Sequence, residues 1–157
     1  MVGSCRTQPR HRWLLAAGLL CFLAIGCGEE SEPGYGSTGE RDSQVAAVTI
    51  PDLSETALRG REVFGANCSE CHGPDAGGTA EGPPLVNIIY EPGHHADISF
   101  LLAVRQGVRQ HHWNFGHMDP VPGVSDEEAR KIVCYVRELQ YANGIFSDTA
   151  GLSACQG

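Results

Sequence analysis

Positive charge is scarce in this sequence of 157 residues: 11 Lys and Arg stand against 19 Asp and Glu, a formal net charge of −8. Phosphate contacts need a basic stripe, so the absence of one argues against nucleic-acid binding. Long apolar runs are missing too. The stretch from Trp13 to Ile25 falls short of the ~20 residues that cross a bilayer comfortably, which excludes a multi-span membrane protein. No internal repeat is evident, and no strand pattern stands out. Methionine is reduced to 2 positions, Met1 and Met118. Against these absences, hydrophobic residues make up 41% of the chain, enough for one small core and too many for disorder throughout. The length suits a single domain once any targeting segment is set aside.

The chain starts with a cationic segment carrying Arg6, Arg10 and Arg12, followed by the apolar run and the small residues Gly26 and Cys27. This is the layout of an export signal. The ending Ala24-Ile25-Gly26-Cys27 resembles a bacterial lipobox, which implies a signal peptide over 1–26 and acylation of Cys27. An uncleaved anchor and an ordinary signal peptide cut nearby are the alternatives. Cleavage before Cys27 removes three basic residues and no acidic ones, leaving 8 Lys and Arg against 19 Asp and Glu, a net −11. Partners should then present a basic face. Residues 27–50 read as a lipidated linker, since Gly28 to Gln44 is rich in Gly, Ser and Glu with little to bury. The folded domain is assigned to 51–157.

Apolar residues return at helical spacing beyond Pro51. A first helix is expected from Ser54 to Cys68, with Ser54 as N-cap. Gly60 lies inside it, at a cost of about 1 kcal/mol relative to alanine, which implies a second backbone packed close by. A second helix is expected over Asp97 to Gln106, stopped by Gly107. Ser125-Asp126-Glu127-Glu128 has the form of a capping box, which starts the clearest helix. Ile132, Val133, Tyr135, Val136 and Leu139 form its apolar face. Three helices joined by loops this long need a ligand or a function to order the loops.

Cys68-Ser69-Glu70-Cys71-His72 has the C-x-x-C-H spacing of c-type haem attachment. Residues three apart share a helix face, so both sulfurs can reach one edge of a porphyrin, and the next residue supplies an imidazole to the iron. A zinc site would need two further ligands at close spacing, and Cys134 and Cys155 are isolated from each other. A thioredoxin-like motif would need a preceding strand. Met118, in the turn-rich Asn114-Phe115-Gly116-His117-Met118-Asp119-Pro120, is the expected distal ligand, a thioether that raises the reduction potential. The alternative leaves Met118 in the core and gives the distal position to His117, His111, His112, His94 or His95. Trp113 and Phe115 either line the crevice or serve as core aromatics. The pairs His94-His95 and His111-His112 read as surface histidines, with adventitious metal binding as the other reading. Cys134 and Cys155 are expected to form a disulfide in an oxidising compartment, unless Cys134 is simply a buried hydrophobe.

From about Leu53 to Gly144 the sequence resembles a class I cytochrome c domain. The matching residues are Gly60, Phe64, Cys68-Ser69-Glu70-Cys71-His72-Gly73, Gly82-Pro83-Pro84-Leu85, Met118 and Tyr135. The resemblance implies an all-α fold of three main helices and long loops around one covalently bound haem c. It implies that Gly60 and Phe64 meet Tyr135, and that the carbonyl of Pro83 accepts from His72 and fixes its ring. It implies outer-sphere transfer of single electrons between redox proteins of a respiratory chain, without enzymatic activity of its own. The resulting expectation is a lipid-anchored carrier on the periplasmic face or outer surface of a bacterial membrane. The alternatives are a haem c subunit of a larger oxidoreductase complex, and a catalytic or sensing haem with a labile distal ligand.

Overall fold

The computed structural model describes residues 46–156. The expected signal peptide, Cys27 and the linker as far as residue 45 lie outside the described residues. Among them are four α-helices, α1 (Glu55–Asn67), α2 (Ser69–His72), α3 (Asp97–Gln106) and α4 (Asp126–Ala142), with 3-10 turns at Ile88–Tyr90 and Thr149–Cys155. The fold is all-α. Its only extended pairing among the described residues is a single antiparallel bridge between Val108 and Met118.

α1 and α4 begin at capping serines, and α2 and α3 end at glycines. Ser54 caps α1 by accepting the Ala57 amide at 3.2 Å, and α1 breaks at Cys68, where φ is −127°. The single turn α2 follows and is closed by Gly73 at φ 76°. α1 thus ends where the sequence leads one to expect, and nothing in the periodicity marks the separate turn α2. Gly107 ends α3 at φ 73°, and a side chain there would also overlap the Met118 carbonyl. The capping box of α4 is complete: Ser125 Oγ accepts from the Glu128 amide at 3.3 Å, and Glu128 accepts from the Ser125 amide at 2.8 Å.

The core lies where α1 crosses α4. Ala57 and Phe64 pack with Ile132, Tyr135, Val136 and Leu139, all buried. Burying side chains of this size is worth about 1.5–3 kcal/mol each. Gly60 lies against the backbone of Lys131 and Ile132, so that a Cβ would overlap the Lys131 carbonyl. Phe64 meets Tyr135 edge-on, at 5.4 Å between ring centroids and 61° between planes, and Tyr135 donates to the Pro74 carbonyl at 3.1 Å.

The long loops are fastened to α4 by polar side chains. Arg137 is fully buried. It donates to Asp97 Oδ1 at 2.7 Å, to the Tyr90 carbonyl at 2.7 Å, to Gln140 at 2.7 Å and to the His95 carbonyl at 2.5 Å. Its guanidinium also lies 4.8 Å from the Phe100 ring centroid, within cation–π range. Gln140, equally buried, donates to the carbonyls of Leu85 at 2.8 Å and Tyr90 at 3.1 Å. Cys134 and Cys155 are joined in a disulfide that brings the C-terminal segment back to α4. Residues 46–50, within the stretch assigned from sequence to the linker, are also tied down. Ala46 donates to the Gly77 carbonyl at 2.7 Å, and Thr49 exchanges two 2.8 Å hydrogen bonds with the Asn143 side chain.

Candidate functional site

A cavity of about 710 Å³ opens between the α1–α2 junction, α3 and the loop before α4. This lies within the roughly 300–1,000 Å³ in which proteins hold cofactors. Its walls are mainly apolar, with Phe64, Leu85, Phe100, Val104, Val121 and Ile132 among them. The helix break at Cys68 and the one-turn α2 bring Cys68, Cys71 and His72 to one side of this space. Both cysteines are free thiols. Burial pushes the Cys68 thiol up to about 11, and the neighbouring Cys71 adds to the rise, so Cys68 stays protonated and slow to enter disulfide exchange.

His72 Nδ1 lies 2.9 Å from the Pro83 carbonyl. A carbonyl only accepts, so Nδ1 carries the proton and Nε2 keeps its lone pair for the cavity. Burial lowers the His72 pKa, and the bond to Pro83 opposes that fall without cancelling it. The ring is therefore neutral at neutral pH. Pro83 is held in place from the other side of its loop, where Gly82 presses on the Cys71 backbone and Leu85 bonds to Ala76 at 2.8 Å.

Met118 also lines the cavity. It is set by the bridge to Val108, whose two hydrogen bonds measure 2.8 and 3.0 Å. That bridge requires the close approach at Gly107, which no larger residue would permit. Trp113 and Phe115 line the same space, with ring centroids 6.3 Å apart. The indole N–H of Trp113 is buried and has no hydrogen-bond partner among the described residues. A buried donor without an acceptor is costly. The cavity thus contains a donor waiting for an acceptor oxygen. Tyr90, at the same wall, has its pKa raised by burial; the Trp113 N–H lies near enough to its hydroxyl to oppose the rise, but not in hydrogen-bonding geometry.

These features fit haem c. Two free thiols one helical turn apart, a neutral imidazole with its outer nitrogen fixed, a thioether, apolar walls and an unpaired donor suited to a carboxylate oxygen all face one cavity. Neither Arg137 nor Gln140 was singled out from the sequence, although both hold the loops around this space. Their polarity disguised them on the buried face of α4, and the one available signal was their position four and eight residues after Val133 and Ile132.

The family model described as Cytochrome c matches residues 57–140. No curated protein matches the chain.

Proposed function

The chain belongs to the cytochrome c family, and from that premise we propose that it is a membrane-tethered carrier of single electrons between respiratory redox proteins. Membership implies covalently bound haem c, one for a single domain, and electron transfer through it. When bound, haem supplies a one-electron Fe(II)/Fe(III) couple. In this reading Cys68 and Cys71 would hold it by thioether bonds, and His72 Nε2 and the Met118 sulfur would be its iron ligands. The observation that carries the assignment is the meeting of these four side chains around one cavity.

The protein's own residues do the rest. Pro83 fixes the His72 ring and its tautomer, and so sets the basicity of Nε2. The soft sulfur of Met118 favours the reduced state and raises the potential. The apolar walls keep water from the site, and Arg137 and Gln140 keep the loops from shifting as charge changes. An acylated Cys27 at the end of an acidic linker would confine the domain near membrane partners and raise its effective concentration there. A respiratory oxidoreductase is the expected donor, and a terminal oxidase or periplasmic reductase the expected acceptor. No helix of the described residues is long and apolar enough to cross a membrane.

The test is a redox titration followed optically, on the full-length haem-loaded protein and on Met118→Ala. A single haem is expected, and its potential should drop in the variant by a sizeable part of the roughly 0.8 V range that axial ligands command. An unchanged spectrum and potential would remove Met118 from the iron. Mass spectrometry of the mature protein from cells should show Cys27 as an acylated N-terminus; an unmodified Cys27 or a different N-terminus would refute the lipid anchor.

A further inference from the structure

Two histidine pairs that are far apart in sequence meet at the rim of the cavity. His94 and His95 lie in the turn before α3, where both amides donate to the Glu91 carbonyl, at 3.0 and 2.8 Å. His111 and His112 lie on the loop leading to Trp113. The rings of His94 and His112 are 5.3 Å apart, those of His95 and His112 5.1 Å, and those of His111 and His112 4.3 Å. One ligand nitrogen from each of His94, His95 and His112 falls within 4.8 Å of the others.

The detailed geometry favours an ion over a hydrogen bond. His94 Nε2 and His112 Nε2 are 3.4 Å apart, longer than a good N–H hydrogen bond. A tetrahedral ion with bonds of 2.0–2.1 Å to imidazole nitrogen places its ligands about 3.4 Å from one another. The outer partners of the rings are those of metal ligands. His95 Nδ1 donates to the Ile89 carbonyl at 2.7 Å, which fixes the tautomer and leaves Nε2 free. The His95 carbonyl is gripped in turn by Arg137 at 2.5 Å, so this ligand sits on a rigid turn. His111 Nδ1 bonds to the Arg109 carbonyl at 2.7 Å and its ring stays outside the group of three, which leaves the fourth position to water.

We propose that His94, His95 and His112 form a site for one divalent transition-metal ion of the imidazole-favouring class, Cu²⁺ or Zn²⁺, separate from the haem. Ligands of nitrogen alone select against Ca²⁺ and Mg²⁺, and the general order of stability places Cu²⁺ above Zn²⁺. The ion would clip the turn before α3 to the loop that carries Trp113 and leads to Met118. The inference rests on the proposed function in one respect: with Met118 as the distal haem ligand, all three imidazoles are left for the second ion.

The experiment uses the haem-loaded protein without an affinity tag, dialysed separately against CuSO₄, ZnCl₂, CaCl₂ and MgCl₂. One equivalent of copper or zinc should bind, copper the tighter, with no calcium or magnesium. Electron paramagnetic resonance of the copper form should show coupling to nitrogen. His94→Ala alters an exposed side chain off the cavity wall and should leave the haem spectrum and the metal-free melting temperature unchanged, while His112→Gln is read by metal binding alone. Each should weaken binding by more than the roughly 10–100-fold lost when a supporting partner is removed. Less than one equivalent in the wild type, absence of nitrogen coupling, or wild-type affinity in both variants would overturn the proposal.

Discussion

Replacing Arg137 by alanine should be among the most damaging single changes in the domain. The side chain is fully buried and donates to one carboxylate, one amide oxygen and two backbone carbonyls. Hydrogen bonds from a charged group are worth about 1.5–3 kcal/mol each, so four of them give roughly 6–12 kcal/mol. Removing the guanidinium from water costs several kcal/mol, which offsets much of that gain. Truncation leaves the carbonyls of Tyr90 and His95 without this donor, whereas Asp97, with 27% of its side chain exposed, regains some water. The loss expected is therefore about 3–5 kcal/mol, as for other buried pairs broken from one side. Small domains hold a total of about 5–15 kcal/mol. Urea unfolding of the haem-loaded protein, followed by far-ultraviolet circular dichroism, gives the number. Arg137→Lys should recover only part of it, because an ammonium cannot reach acceptors spread across a planar fork. A loss below about 1 kcal/mol for the alanine variant would show that the network contributes no net stability and that apolar packing alone places the loops.

The Cys134–Cys155 disulfide closes a loop of 21 residues, and loop-closure entropy assigns it about 3 kcal/mol; Cys134→Ser/Cys155→Ser should lose about that much in urea unfolding. Gly60→Ala should cost about 3 kcal/mol or prevent folding, since the added methyl meets backbone rather than a movable side chain; a shift in melting temperature under about 2 °C would contradict the close helix contact. At the start of α4, hydrogen bonds from Arg105, Lys131 and Ser125 lower the carboxyl pKa values of Asp126, Glu127 and Glu128 respectively. Groups depressed on folding stabilise fully above the ordinary carboxylate range near pH ~4 and lose that effect as pH falls through their folded values. An acid titration of Glu128→Gln should therefore show a shallower loss of stability than the wild type, while equal slopes would deny the linkage.

The helices were legible because their signals are local. Gly107 marks the end of α3, and Ser125 with Glu128 marks the start of α4, at positions the chain adopts without help from distant residues. The C-x-x-C-H run, Pro83 and Met118 could likewise be singled out, two of them through resemblance and position. What stayed hidden depends on long-range meetings. The one-turn α2 just after Cys68 leaves no mark in the periodicity. The buried role of Arg137 requires carbonyls 42 and 47 residues away, and a charged residue in mid-helix reads by default as solvated. The two histidine pairs read as surface residues, and three of the four are exposed; that a turn and a loop bring them together has no sign in their local spacing. The pinning of residues 46–50 depends on Asn143, nearly a hundred positions downstream.

Many irregular segments among the described residues take their position from one rod. Along α4 and its cap at Asn143, successive side chains hold residues 49, 54, 74, 85, 90, 95, 97 and 155. Because each residue of a helix turns about 100° from the last, an insertion or deletion in mid-α4 would swing every later anchor away from its acceptor at once. The same change in a surface loop displaces only its neighbours. Natural variation in the length of such a domain should therefore collect between the helices and spare the interior of the last one, whatever liberties the sequence itself takes there.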